Sequence, residues 1–355
     1  MTELDDLRNK IDALDAQILS LLNERAKIAV RIGEVKRETG AEAYAPGRES
    51  EIFESLARRN NGPFPAEGLR AVFREIVSAC RSLEKPLRVA YLGPEATFTH
   101  LACLRRFGSS VEAVPVETIP GVFKEVERGG TEFGVVPVEN STEGVINYTV
   151  DSLIDSDLKI TSEILLDVSQ HLLAAGRDLS RVKKVYSHPQ AVAQCRGWLE
   201  KNLPRVEIVE VSSTAKAAEM AAKDPDAAAI ASEAAATLYR LEIVEPKIED
   251  RPNNQTRFLV IGRKETPRTG RDKTSLVFSI KDRPGALYKM LEPFANRGIN
   301  LTRLDARPSK QRTWEYLFFM DLAGHVEDPS VREAVEALRG ECLFLKVLGS
   351  YPADL

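Results

Sequence analysis

Along the first part of the chain, apolar side chains recur every three or four residues: Leu4, Leu7, Ile11, Leu14, Ile18, Leu21, Ile28, Ile32 and Val35, with Arg25 occupying one place in the series. That spacing marks one face of an α-helix and predicts a single helix of about 32 residues, roughly 48 Å long. Two shorter helices are expected near 47–60 and 66–84, separated by the breaker Asn60-Asn61-Gly62-Pro63-Phe64-Pro65. So small a segment cannot cover the whole seam. Pairing of long helices from two copies is the natural way to bury it, which implies a homodimer or a higher even oligomer.

The period changes after residue 85. Short apolar runs at 87–92, 112–116, 133–138, 183–187, 206–211, 227–231 and 257–262 alternate with helical stretches, an α/β pattern with mainly parallel strands and two lobes. A polar linker at 263–272, containing Pro267 and Gly270, closes this segment. From Lys273 onward the order is strand, helix, strand, strand, helix, strand, the α+β ferredoxin-like plan. The chain is therefore multidomain, with all-α, α/β and α+β parts expected at 1–85, 86–263 and 273–355.

Composition narrows the chemistry. The 355 residues are 43% hydrophobic and 29% charged, with a net charge of −4, so nothing general favours nucleic acid or anionic lipid. No apolar run approaches the ~18 residues of a membrane span. The start, MTELDDLRNK, does not resemble a signal peptide. Cys80, Cys103, Cys195 and Cys342 are scattered without metal-ligand spacing, as expected of reduced cytoplasmic thiols. Neither a GxGxxG nor a Walker loop is present, and no cofactor is expected.

Two features point to anionic ligands. Arg25 sits in an apolar seam, where a charge is costly without a partner. Lys36 lies eleven residues on, nearly on the same face and about 16 Å away, so the two side chains can grip a small dianion between them. Arg8 is about 25 Å from Arg25 along the same helix and reaches such a site only from an antiparallel neighbour. Solvated or salt-bridged charges are the plain alternative. In the α/β segment, loops at 93–100, 138–144, 187–190 and 212–216 place Ser, Thr or Asn before helices. Each is either an ordinary cap or part of a carboxylate-binding cleft at the sheet edge. The polar run Asn253-Asn254-Gln255-Thr256-Arg257 leads straight into the apolar strand Phe258–Gly262, so its side chains need a use.

These stretches carry a family resemblance. LRNKIDALDAQILSLLNERAKIAVRIGEVKRE, YAPGRES and FREIVSACRSLE closely resemble the all-helical class of chorismate mutase. The resemblance implies that Arg8 from a neighbouring chain, Arg25, Arg48 and Glu49 bind substrate, while Lys36 and Glu84 donate hydrogen bonds to the breaking ether oxygen. Ala45 stands where some members have Asp, and Glu84 where some have Gln. A carboxyl donates only when protonated, so mutase kcat/KM is expected to fall as pH rises. YLGPEATF, VVPVENSTEG, YSHPQAVAQC and NNQTRFLVIG closely resemble prephenate dehydratase, whose fold is two-lobed and periplasmic-binding-protein-like. By that resemblance Thr256 is the catalytic hydroxyl, and Asn140, Ser187, Gln194, Arg257 and Phe258 line the pocket. Arg257 is either a carboxylate ligand or a residue of the local fold, and His188 either an acid or a loop residue. Ala96 replaces a common Gly. DRPGALYKML and LTRLDARPSKQRTWEYLFFMDL resemble the ACT regulatory domain. Gly285, Ala286, Leu287, Asp305, Arg307 and Pro308 then fall at its phenylalanine site, with Asp305 and Ala306 in place of the commoner Glu and Ser.

The resemblance as a whole implies a bifunctional enzyme that takes chorismate through prephenate to phenylpyruvate and is inhibited by L-phenylalanine. Two other readings remain open at this stage: an arogenate dehydratase of the same fold, and a small-molecule sensor without turnover.

Overall fold

The computed structural model describes residues 2–39, 46–142, 144–252, 254–280, 283–308 and 316–353, without the side chains of residues 46–48 and 50. The chain forms two compact units, one running to Arg88 and taking in Leu104–Glu112, the other holding the remainder.

In the first unit, α1 (Glu3–Thr39), α2 (Pro46–Arg59) and α3 (Ala66–Glu84) match the expected helices closely. Helix α1 carries Glu3, Asp5 and Asp6 in its first turn and Lys36 and Arg37 in its last, which complements the helix dipole. Its buried residues are Ala29 and Gly33. A Cβ on Gly33 would lie 2.9 Å from the Glu84 Cβ, so glycine permits the close approach of α3. The apolar seam is otherwise open: Ile18 is 53% exposed and Leu21 64%.

The second unit contains three sheets. The first joins β1 (Arg88–Leu92), β2 (Glu112–Val116), β3 (Phe133–Asn140), β4 (Gly144–Val145), β5 (Lys159–Asp167) and β11 (Gln255–Gly262) in the order β2-β1-β3-β11-β5, with β4 on β3. Helices α4 (Phe98–Phe107), α5 (Ile119–Glu127) and α6 (Asn147–Asp155) connect them. The second sheet has the order β10-β6-β9-β7-β8, built from β6 (His171–Ala174), β7 (Lys184–Ser187), β8 (Glu207–Glu210), β9 (Ala227–Ala231) and β10 (Glu242–Glu245). Its helices are α7 (Pro189–Gln194), α8 (Arg196–Asn202), α9 (Thr214–Ala221) and α10 (Glu233–Tyr239). The chain thus leaves the first sheet after β5 and returns at β11, the last strand to join.

That return alters one expectation. The pairs β1–β3, β7–β8 and β7–β9 are parallel, but β11 runs antiparallel to both its neighbours, and β6 runs antiparallel to β9 and β10. The sheets are mixed rather than mainly parallel. Strand β5 also escaped the sequence pattern, because Thr161, Ser162 and Glu163 interrupt its apolar run although all three are buried. Burial of Glu163 is tolerable because Arg257 Nε at 2.8 Å and Lys273 Nζ at 2.6 Å both reach its carboxylate.

The third sheet has the order β13-β14-β12-β15, from β12 (Asp272–Ile280), β13 (Leu301–Pro308), β14 (Tyr316–Ala323) and β15 (Cys342–Pro352). With α11 (Ala286–Ala295) and α12 (Pro329–Glu341) it completes the expected ferredoxin-like order. Strand alternation gives this sheet two apolar faces. Leu276, Phe278 and Met320 pack with α11 and α12, while Val277, Phe319, Leu348 and Tyr351 share a core with Val136, Ile160, Leu259 and Ile261 of the first sheet. A Cβ on Gly349 would fall 2.3 Å from the Ile160 carbonyl oxygen, so β15 touches β5 backbone to backbone. Beside this contact Arg257 Nη1 meets Asp321 at 2.5 Å and Arg257 Nη2 meets the Tyr351 hydroxyl at 3.0 Å. Lys346 Nζ donates to the Ile154 carbonyl at the end of α6, at 2.8 Å.

Two outcomes follow from this docking. Gly349→Ala should destabilise the second unit by about 1–3 kcal/mol, since the obstructing atoms are backbone; denaturant unfolding measures it, and an unchanged midpoint would mean the two strands part easily. Arg257→Met removes the cation between two buried carboxylates and should cost about 3–5 kcal/mol. A stability within about 0.5 kcal/mol of the wild type would show that Lys273 and Tyr351 suffice.

Candidate active sites and effector elements

On α1, Lys36 lies one turn beyond Gly33, on the face that α3 approaches. Its ammonium donates to Glu84 Oε2 at 3.0 Å, and both side chains are largely enclosed. Here Glu84 accepts, whereas the resemblance led us to expect a donor. Arg25 is half-buried and Arg8 exposed on the same helix. The rise of the helix keeps Arg8 about 42 Å from Lys36 within one chain. Arg48 lies outside the described side chains.

Glu49 differs from expectation. It is buried, Oε1 accepts from Arg81 Nη1 at 2.7 Å, and Oε2 accepts from Arg106 Nη1 at 3.2 Å. Arg81 Nη2 also donates to the Phe107 carbonyl at 2.7 Å. A buried carboxylate requires such partners, so Glu49 is held by protein cations rather than presented as an open ligand. Arg81 looked like one charge among many on α3, and Arg106 lies outside the segment with the helical period. Neither gave a signal in the sequence.

The polar run before β11 has a defined use. Thr256 and Asn140 are cross-strand partners between β11 and β3. Asn140 Nδ2 donates to Thr256 Oγ1 and to Asn254 Oδ1, both at 2.8 Å. Asn254 Nδ2 donates to Gln194 Oε1 at 3.1 Å, Gln194 Nε2 donates to Thr142 Oγ1 at 3.4 Å, and Thr142 Oγ1 returns to Asn140 Oδ1 at 2.5 Å. These bonds form a closed ring in which every member both donates and accepts. Gln170 Nε2 buttresses it, reaching Gln194 Oε1 at 3.3 Å. Thr256 hangs from the ring as an acceptor, and its hydroxyl hydrogen is used by no hydrogen bond among the described residues. The structure thus brings Thr256, Asn140 and Gln194 together. Asn254, Thr142 and Gln170 complete the group. Their side chains are short and common in loops, and only the tertiary approach of β3, β11 and α7 marks them.

Three expected pocket residues sit differently. Arg257 points away from the ring, its side chain 9% exposed, and is spent on Glu163, Asp321 and Tyr351. Burial disfavours its charge, but Tyr351, Asp321 and Glu163 more than offset that and raise its pKa. Alternation along β11 explains the placement: Thr256 faces one side, Arg257 the other. Arg257 is therefore a residue of the fold, not a carboxylate ligand. Ser187 is fully buried, and its hydroxyl donates to the Ile230 carbonyl of β9 at 2.9 Å. It ties β7 to β9. Phe258 is 1% exposed and packs inside the unit. His188 Nδ1 accepts from the Gln190 amide at 3.3 Å and caps α7. Of the four strand-end loops, Thr97, His188 and Ser213 act as helix caps, and only the loop at 138–144 feeds the ring. Ala96 adopts φ +63°, a conformation in which the family's Gly is unstrained.

The two effector stretches lie on different elements. Gly285, at φ +78°, turns the chain into α11 and suits only glycine well; Ala286 and the half-exposed Leu287 follow in its first turn. Asp305, Arg307 and the exposed Pro308 lie on β13, an edge strand. Arg307 Nη2 pairs with Asp151 at 2.5 Å and Nη1 reaches the Asn147 carbonyl at 3.4 Å, both on α6. Asp305 accepts from Arg303 Nε.

A family profile for chorismate mutase type II matches residues 7–85, one for prephenate dehydratase residues 89–266, and one for the ACT domain residues 274–340. A bifunctional chorismate mutase/prephenate dehydratase from Aquifex aeolicus is 54% identical over 100% of this chain and 99% of its own. That of Pseudomonas aeruginosa is 46% identical over 99% and 98%. The solved structure of a prephenate dehydratase in complex with L-Phe, from Arthrobacter aurescens, matches 75% of this chain and 90% of its own with a TM-score of 0.69 and 34% identity. With three profiles in the order of the three hydrophobic periods, and relatives matched along essentially their full length, this chain belongs to the bifunctional chorismate mutase/prephenate dehydratase family.

Proposed function

We infer that the chain converts chorismate to prephenate in its helical part and prephenate to phenylpyruvate in its α/β part, under feedback from L-phenylalanine. The dehydratase reading rests above all on Thr256, whose oxygen is occupied by Asn140 while its hydrogen makes no hydrogen bond among the described residues. In prephenate the C4 hydroxyl departs as the ring carboxylate leaves as CO₂, and the electron pair of the broken C–C bond aromatises the ring. A positioned donor at the departing oxygen is what that step requires. Asn140 holds the Thr256 oxygen, and the ring through Asn254, Gln194 and Thr142 fixes Asn140.

The mutase step is a unimolecular rearrangement of a dicarboxylate, and needs a clamp for carboxylates and charge stabilisation at the ether oxygen. Lys36 supplies the cation and Arg25 a carboxylate ligand. Arg8 of a second copy would complete the site, and the exposed seam of α1 supports a dimer. We assign the mutase to residues 1–85, the dehydratase to 86–263 and the regulatory part to 273–355. Gly285, Ala286 and Leu287, with Asp305, Arg307 and Pro308, are our effector contacts. A reducing, cytoplasmic setting suits four free cysteines, with burial pushing the Cys103 thiol up to about 12 and that of Cys342 to about 11.

The direct test supplies chorismate and measures phenylpyruvate, with arogenate as a competing substrate; faster turnover of arogenate than of prephenate would reassign the second step. Arg25→Ala should abolish mutase activity and leave turnover of supplied prephenate within about twofold. Parallel loss of both in a folded variant would show that the two chemistries share a site. Thr256→Val should lower dehydratase kcat at least about 10²-fold with little change in prephenate binding. Near-normal kcat would reduce Thr256 to a spacer.

A further inference from the structure

Arg303 is a buried cation with an incomplete set of partners. Its side chain is 8% exposed and lies over the Phe319 ring at 4.8 Å. Its Nε donates to Asp305, and its Nη1 stands 3.3 Å from Glu139 Oε2. Yet Nη1 and Nη2 are both buried and make no hydrogen bond to the described residues. Unmade hydrogen bonds on a buried guanidinium are costly. Its two carboxylate neighbours are Asp305 at Nε and Glu139 at Nη1.

The two anions belong to different places. Asp305 lies on β13, at the effector position. Glu139 lies on β3, next in the chain to Asn140. In the ladder Glu139 opposes Arg257, and Asn140 opposes Thr256. Arg257 is locked by Glu163, Asp321 and Tyr351, whereas the half-exposed Glu139 carboxylate is held by Arg303. A continuous path therefore runs from Asp305 through Arg303 and Glu139 to Asn140 and Thr256.

We propose that Arg303 is a positioning residue of the dehydratase, carrying occupancy of β13 to the Asn140–Thr256 pair. This rests on the reading of Asp305 as an effector contact. The ammonium group of an α-amino acid bound at β13 pairs with Asp305. The Arg303 guanidinium then turns wholly to Glu139 and draws it toward β13. The adjacent Asn140 shifts with it, and the bond that orients Thr256 loosens. Differential pairing of one cation in two states supplies the free-energy difference that inhibition requires.

The test compares full-length Arg303→Met, Arg303→Lys, Glu139→Gln and the double variant Arg303→Met/Glu139→Gln with the wild type. Dehydratase rates are measured on prephenate across a titration of L-phenylalanine, binding of L-phenylalanine by calorimetry, and mutase activity as a control for the intact chain. Both Arg303→Met and Glu139→Gln should raise the half-inhibitory concentration at least about tenfold while changing L-phenylalanine affinity less than about threefold. Arg303→Lys should restore part of the response, and the double variant should be no worse than the single ones, because one contact is removed in each. Glu139→Gln changes a half-exposed carboxylate and tests the same contact if Arg303→Met fails to fold. Inhibition within twofold of the wild type in folded Glu139→Gln would overturn the proposal, as would loss of inhibition that merely follows loss of binding. A wild-type enzyme that turns over prephenate but neither binds nor responds to L-phenylalanine would overturn the effector reading, and the proposal with it.

Discussion

The ion cluster around Arg257 is the constraint on which the second unit depends. One guanidinium faces Glu163 of β5, Asp321 of β14 and the hydroxyl of Tyr351 on β15, all deeply buried. Such a group is not a cheap source of stability, because each charge is desolvated before it is paired. What it provides is geometry. The strand that carries Thr256 cannot slide or twist without breaking contacts to three other strands. Because side chains alternate along β11, the face that is bolted down and the face that holds the Thr256 hydroxyl belong to neighbouring residues.

The ring of Asn140, Asn254, Gln194 and Thr142 applies the same logic with neutral groups. Each amide spends a donor and an acceptor on its neighbours, so few rotamers satisfy the whole set. A hydroxyl is a weak acid and a free rotor, and its value as a donor depends on direction more than on strength. Asn140 supplies direction by occupying the oxygen from behind. On the proposed dehydratase reading, that alignment is what a step driven by aromatisation asks of the protein.

The helical unit shows a different economy. Its three helices bury little of the long seam, and α1 leaves Leu7, Ile11, Leu14, Ile18 and Leu21 each more than half exposed. This open apolar surface is the observation on which the proposed dimer rests. What the helices do secure within one chain is local: Gly33 admits α3, Lys36 reaches Glu84, and Arg81 with Arg106 neutralises Glu49. Paired cations around one carboxylate make α2 and α3 a fixed wall rather than a set of free side chains.

Legible in the residues alone were the helices of the first unit to within a few residues and the ferredoxin-like order of the last part, because each rests on local periodicity. Tertiary structure alone decided strand direction and the fate of individual polar residues. The antiparallel return of β11 depends on a chain excursion through another lobe, which no local pattern records. Strand β5 hid behind Glu163, whose burial makes sense only beside Arg257 and Lys273. Arg257 and Thr256 are adjacent in sequence and share a motif, yet one joins the buried ion cluster and the other the amide ring, since a strand sends them to opposite faces. Glu49, Ser187 and Asn254 likewise took their roles from partners far away in the chain. A side chain's type limits what it can do; the partners brought within 3 Å of it, by segments distant in sequence, select which of those things it does.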